Sequence, residues 1–254
     1  MFNEDYTAAA KAAAAKAALL KKNPGGYFLL SMLAGMYVGF GVLLVFTLSG
    51  AMAGAPFTKL VMGCTFSVAL SLVVIAGAEL FTGNNMVMAA GYLRKTVSAY
   101  EVLKLWAVCW AGNLAGSVLL AVIYNATGLY SDATLGAMTG AAAAKMTAGF
   151  VPLLARGMLC NTLVCLAVWC GFRCKSESGK LIMVFWCILA FFTTGFEHSV
   201  ANMTLLSLAL INNGGNAAIS FGGYCFNLLT VTLGNMIGAV LLVALPYHAA
   251  SKEK

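Results

Sequence analysis

Charge is scarce in this chain. Lys, Arg, Asp and Glu make up 9% of its 254 residues, 15 of them basic and 8 acidic, where a soluble domain carries about 25%. So few charged side chains cannot coat a water-facing surface of this size. An ordinary cytosolic enzyme, a disordered chain and a nucleic-acid-binding domain are thereby excluded. Histidine is scarcer still, with two residues. Neither stands among enough acids or cysteines to suggest a metal centre, and neither metal nor cofactor is expected. The chain has no G-x-S-x-G, no Gly-rich phosphate loop and no C-x-x-C, so hydrolytic, nucleotide-dependent and redox chemistry lack their usual motifs. The eight cysteines read as small apolar core residues.

What is abundant is apolar sequence, 61% of the chain with mean hydropathy +0.90. Apolar segments near 27–48, 58–90, 102–124, 150–171, 180–210 and 222–248 each reach the roughly 20 residues a membrane crossing needs. The chain is predicted to be an all-α membrane protein with six transmembrane helices. The second and fifth segments are too long for one straight span. Each holds a polar, glycine-containing interruption, Thr82-Gly83-Asn84-Asn85 in one and Thr193-Thr194-Gly195 through Asn202 in the other. Such breaks are tolerated at membrane depth only where they line a cavity or are buried in protein.

Three regions follow: residues 1–25 as an N-terminal amphipathic interfacial segment, 26–248 as the transmembrane domain, and 249–254 as a short tail. The N-terminal segment is Ala-rich and carries Lys11, Lys16, Lys21 and Lys22. It is predicted to be a retained surface helix rather than a cleaved leader, because no short apolar core and A-x-A site follow it. With six spans, twelve Lys and Arg fall on one side, against Lys59, Lys145 and Arg156 on the other. That bias predicts both termini in the cytoplasm.

The two halves repeat. Gly77-x-Glu79-x4-Asn84 returns as Gly195-x-Glu197-x4-Asn202. Gly112-Asn113-x-x-Gly116 returns as Gly234-Asn235-x-x-Gly238, and Gly35-Met36 as Gly157-Met158. Each half holds three spans, an odd number, so the second copy enters the membrane from the opposite side. Broken helices at matching places in inverted repeats point to a transport site near the midplane, and half-helix N-termini there favour anions.

Several residues stand out against that frame. His198 is an ionisable group inside an apolar segment at a repeat-related break, a functional candidate by position. His248, at the end of the last span, reads as interfacial and structural. Glu79 and Glu197 admit two readings, proton relay or satisfaction of backbone groups freed by the breaks. Lys145, expected in a loop, is either an anion attractor at a pore mouth or a solvated lysine. Asn161 and Asn235 are either interhelical glue or pore lining. Phe66, Leu70 and Phe191 read by periodicity as packed or lipid-facing, and Gly112, Gly116, Gly234 and Gly238 as sites of close helix contact.

The segments Ala76-Gly77-Ala78-Glu79-Leu80-Phe81-Thr82-Gly83-Asn84 and Gly195-Phe196-Glu197-His198-Ser199-Val200-Ala201-Asn202-Met203 resemble the formate/nitrite transporter family. So do Asn161 through Trp169 and Val231 through Asn235, and the likeness runs from about residue 8 to 248. The resemblance implies an aquaporin-like six-helix protomer in a homopentamer. One pore per subunit would pass small monovalent weak-acid anions such as nitrite, formate or hydrosulfide across the cytoplasmic (inner) membrane, with protons as a second partner. The Phe-Glu-His-Ser-Val-Ala-Asn-Met-Thr segment is most similar to nitrite channels. By match, Phe66, Leu70 and Phe191 would form apolar constrictions and Phe81 and Thr82 would lie on the loop breaking the second span. His198 would face the pore between the constrictions, with Lys145, Glu197, Asn161 and Asn235 at other polar positions of pore and support.

A bare anion in an apolar constriction is heavily penalised by desolvation. Lysines and helix ends would concentrate it, and a proton would let it cross as the neutral acid. Imidazole is the side chain whose ordinary pKa lies nearest neutrality, so His198 is expected to hydrogen-bond the anion or lend it a proton. A neutral-solute channel would share the architecture, but both Asn-Pro-Ala signatures are absent. A proton-coupled carrier would use the same residues.

Overall fold

In a computed structural model of the chain, residues 2–252 are described. Met1, Glu253 and Lys254 lie outside them, the last two at the end of the expected tail. The described residues form eleven α-helices: α1 (Asn3–Lys22), α2 (Pro24–Ala51), α3 (Thr58–Leu72), α4 (Phe81–Leu93), α5 (Ala99–Thr127), α6 (Asp132–Met146), α7 (Phe150–Arg173), α8 (Glu177–Thr194), α9 (Ser199–Ile211), α10 (Phe221–Ala239) and α11 (Leu245–Ala250). A wider π turn, Val73–Gly77, ends α3, and another, Val240–Ala244, joins α10 to α11. Among the described residues, six continuous helical segments are long and apolar enough to cross a membrane.

The repeat is visible helix by helix. The pairs α2 and α7 start at 24 and 150, α4 and α9 at 81 and 199, and α5 and α10 at 99 and 221. The repeat also reaches a pair that periodicity missed. Helix α1 starts at 3 and α6 at 132, and both carry Ala-Ala-Ala-Ala-Lys, at 12–16 and at 141–145. Each half is therefore a leading helix, a span, a broken span and a span. Lys145 belongs to helix α6 rather than to a loop.

The break in the second span sits a few residues earlier than expected, and that in the fifth falls inside its expected stretch. Thr82, Gly83, Asn84 and Asn85 are not the interruption, and Phe81 and Thr82 are not on its loop. They form the first turn of α4, and the chain unwinds at Ala78–Leu80. In the fifth span it unwinds at Gly195–His198, and Asn202 is helical. Gly77 (φ +78°) and Gly195 (φ +80°) hold the left-handed conformation that opens each break, which glycine adopts without a Cβ clash. Beside them, Ala78 N–H donates to Val73 O (3.0 Å) and Phe196 N–H to Phe191 O (3.1 Å), the same five-residue turn in both halves.

Close contact explains the other glycines of the repeat. A Cβ on Gly116 would strike the Met32 carbonyl, and one on Gly238 the Met158 carbonyl. This pairing sets Met32 opposite Met158, so the match of Gly35-Met36 to Gly157-Met158 is one helical turn out of register. Gly116→Ala and Gly238→Ala are expected to destabilise the bundle by about 1–3 kcal/mol each through overpacking, read as a lower melting temperature in detergent.

Helix α1 buries one face, with Tyr6, Ala9, Ala10, Ala13, Ala17 and Leu20 all covered. Ala13 meets Gly91 of α4, Thr96 Oγ1 donates to Ala10 O (2.9 Å) and Tyr6 OH to Ala244 O (3.0 Å). The apolar face of this helix thus rests on protein rather than on lipid. Burial and the lost hydration of its phenolate push the Tyr6 pKa well above its ordinary value. Arg94 Nη2 reaches both Asn3 Oδ1 (2.7 Å) and Ser251 Oγ (2.9 Å), so the two ends of the chain share one face. His248 stands there beside Tyr6, ring centroids 5.4 Å apart.

Candidate functional site

The two breaks are braced by the same side chains in each half. Asn113 Oδ1 accepts Phe81 N–H (2.9 Å), and its amide donates to Ser31 O (2.7 Å) and Glu79 O (2.9 Å). Asn235 Oδ1 accepts Ser199 N–H (3.0 Å), and its amide donates to Gly157 O (2.8 Å) and Glu197 O (3.0 Å). Each asparagine thus ties the unwound residues to the neighbouring span and satisfies backbone groups that have no helical partner. Asn235 lines neither of the two cavities below, so its place is in the scaffold. Asn161 is likewise fully buried, its amide within reach of Thr82 O (3.2 Å), Asn85 Oδ1 (3.1 Å) and Asn235 O (2.8 Å).

The two carboxylates are engaged in ion pairs. Glu79 accepts from Lys16 Nζ at both oxygens (2.7 Å each), from Asn84 Nδ2 (2.8 Å) and from Tyr27 OH (3.1 Å). Glu197 accepts from Lys145 Nζ (2.7 Å) and Asn202 Nδ2 (2.7 Å). Asn202 also donates to Asn227 Oδ1 (2.8 Å), whose amide donates to Lys145 O (3.0 Å). Neither glutamate satisfies freed backbone N–H groups as expected: each carboxylate accepts from side chains, while Asn113 and Asn235 take the backbone groups at the breaks. Lys145 is neither a solvated loop residue nor a free charge. Lys16, Tyr27, Asn113 and Asn227 complete the arrangement, and sequence reasoning passed over them as site residues. The alanine runs that precede both Lys16 and Lys145 were the signal for Lys16.

Two cavities enter the helical bundle from opposite ends. One, about 620 Å³, is lined by Lys16, Lys180, Glu79, Leu80, Leu70 and Phe172 among others. The other, about 420 Å³, is lined by Lys59, Lys145, Phe66, Phe191, Phe192 and His198 among others, with no carboxylate in its wall. Leu70 lies one helical turn beyond Phe66 on α3, so the first cavity ends on Leu70 and the second on Phe66. Phe66 meets Phe191 edge-on (centroids 5.9 Å) and Phe192 at 4.8 Å. Between the lysine-bearing cavities the wall is apolar. Phe81 is buried but lines neither cavity.

His198 sits at this septum. Its ring stacks on Phe191 (centroids 5.9 Å, 19° between planes). Nδ1 accepts the Ala201 N–H (3.1 Å), so the imidazole caps α9. A nitrogen that accepts carries no proton, which places the ring N–H on Nε2. Nε2 lies 3.1 Å from Thr82 Oγ1 in the other half, joining the N-terminal turns of α4 and α9. The repeat equivalent of His198 is Leu80, which faces the other cavity. The imidazole is thus where the twofold pattern is broken.

The family profile described as formate/nitrite transporter matches residues 3–249. The chain is 41% identical over 256 residues to "Nitrite transporter NirC" of Salmonella typhimurium, covering 100% of this chain and 93% of that protein. Among solved structures it resembles an "FNT family ion channel" at 40% identity, with a TM-score of 0.92 and coverage of 98% and 99% of the two chains. It also resembles a "Pentameric formate channel with formate bound" at 30% identity, with a TM-score of 0.81 and coverage of 91% and 98%.

Proposed function

The chain belongs to the formate/nitrite transporter family and is a membrane channel or transporter, and we propose that it passes nitrite across the inner membrane as a homopentamer with both termini in the cytoplasm. The full-length likeness to a nitrite transporter supports the cargo. The likeness to a pentameric channel supports the assembly, and the excess of Lys and Arg on the face that carries the termini supports the orientation. One observation carries the mechanism: an apolar, aromatic septum separates two lysine-bearing cavities, with one imidazole N–H at its edge.

An anion drawn in by Lys59 and the field of the helix ends meets a wall it cannot cross charged. His198, whose ring lines the second cavity, offers it the Nε2–H that otherwise rests on Thr82 Oγ1 (3.1 Å). A hydronium ion arriving from solvent then supplies a proton, leaving water, and yields the neutral acid, the form that low dielectric favours. His198 is a poor source of that proton. It would have to carry one on Nδ1 as well, and that nitrogen is committed to the Ala201 N–H. Its role is hydrogen-bond donation.

The test is a flux competition in proteoliposomes among nitrite, formate and hydrosulfide at several pH values. Nitrite is expected to pass fastest. Its flux at fixed total nitrite should climb as pH falls, since the neutral fraction rises about tenfold per pH unit above the acid's pKa. Faster formate or hydrosulfide flux would reassign the cargo, and flux indifferent to pH would remove the neutral-acid step.

A further inference from the structure

A second ionic feature lies away from the pore, where the C-terminal end of α1 meets the α4–α5 connection. Two adjoining surface hollows, of about 400 and 380 Å³, share Ser98 and Glu101 in their walls. Lys21 and Lys104 border the first and Lys95 the second. All three lysines are exposed, and none is ion-paired among the described residues. The one acid there is already engaged, because Glu101 Oε2 accepts both Ser98 N–H (2.7 Å) and Ser98 Oγ–H (2.8 Å) to cap α5. Three lysines therefore stand around the two hollows against one carboxylate, a local excess of two positive charges among the described residues.

The surroundings are those of a membrane interface. The connection joins two membrane segments, so it lies at the bilayer surface. Tyr92 and Tyr100 are 52% and 71% exposed beside the hollows, and amphipathic rings concentrate at headgroup depth. From Tyr100 an exposed apolar stripe runs along α5 through Leu103, Ala107, Ala111, Val118 and Val122, a track suited to an acyl chain.

Lys95 adds a backbone signature. It is the one described non-glycine residue with positive φ (59°), at a helix end where glycine is usual. A lysine is held there against its backbone preference.

We infer that this corner seats the headgroup of an anionic phospholipid, its phosphate among Lys21, Lys95 and Lys104 and one acyl chain along the outer stripe of α5. The inference needs only that the chain spans a membrane and is independent of the cargo. The full-length protein, stripped of lipid in detergent, is titrated with phosphatidylglycerol, phosphatidylcholine or inorganic phosphate, with bound lipid read by native mass spectrometry. Phosphatidylglycerol should bind saturably and phosphatidylcholine far more weakly, with inorganic phosphate displacing neither. Lys21→Gln and Lys104→Gln should each weaken phosphatidylglycerol about fivefold.

Lys95→Gly separates this role from a structural one. It relieves the left-handed backbone, so the melting temperature should hold or rise while phosphatidylglycerol affinity falls. Charge-matched single controls, Lys11→Gln and Lys175→Gln, should each leave affinity unchanged. Equal binding of the two lipids, variants no weaker than the controls, or displacement of phosphatidylglycerol by inorganic phosphate would each overturn the assignment.

Discussion

His198→Phe should slow nitrite flux in proteoliposomes by about a hundredfold to a thousandfold, the range observed when a preorganised donor is removed from a water-excluded site. Two interactions leave with the ring: the cap on Ala201 N–H and the Nε2–H beside Thr82. A second variant separates them. Asparagine is among the best helix caps, so His198→Asn can keep the bond to Ala201 and preserve α9. Its shorter side chain, once turned to the cap, cannot also reach Thr82. His198→Asn is therefore expected to fold and assemble like the parent yet lose flux nearly as far as His198→Phe. Full flux in His198→Asn would reduce the ring to a cap.

The pH profile adds an independent readout. If the ring only donates a hydrogen bond, the small residual flux of the asparagine variant runs parallel to the parent's across pH. An inflection present in the parent and absent from the variant would restore the proton-lending role. Residual flux also has to be compared at equal protein incorporation, because loss of the cap in the phenylalanine variant removes about 1 kcal/mol of helix stability as well.

The six spans and their inverted order were legible in the sequence because membrane crossing demands apolar length, and apolar length survives without any knowledge of contacts. The site was legible only in part. Thr82-Gly83-Asn84-Asn85 looks like an interruption because four small or polar residues stand together. In the fold the Asn84 amide donates to Glu79 and Tyr27 and Asn85 Oδ1 accepts from the Asn161 amide, and the helix continues through them. The true break rests on Gly77 and on a π turn whose register no local pattern announces. Lys145 read as a loop lysine because α6 is short and built from Ala, Gly, Thr and Met, and shows no strong apolar face. The bracing of Glu79 by Lys16 joins residues 63 apart in the chain, which periodicity cannot foresee. The broken symmetry between Leu80 and His198 was present in the sequence, but it gained meaning only once each was seen to face a different cavity.

The two lysine–glutamate pairs should respond unequally to loss of the lysine. Both lie in a low-dielectric environment, where removing one partner strands a charge at about 3–5 kcal/mol. The carboxylate side chains differ in exposure, 10% for Glu79 and 3% for Glu197. They also differ in what remains after the lysine is gone. Glu79 would keep Tyr27 OH and Asn84 Nδ2 as donors, whereas Glu197 would keep Asn202 Nδ2. Lys145→Met should therefore destabilise the protein more than Lys16→Met, measured as the midpoint of thermal dissociation in detergent. Adding Glu197→Gln to Lys145→Met removes the stranded charge and should recover most of the loss, the signature of a coupled pair in a double-mutant cycle. If instead both lysine variants cost under about 1 kcal/mol, as exposed pairs do, the pairs would be solvent-screened. The breaks would then be held by Asn113 and Asn235 alone.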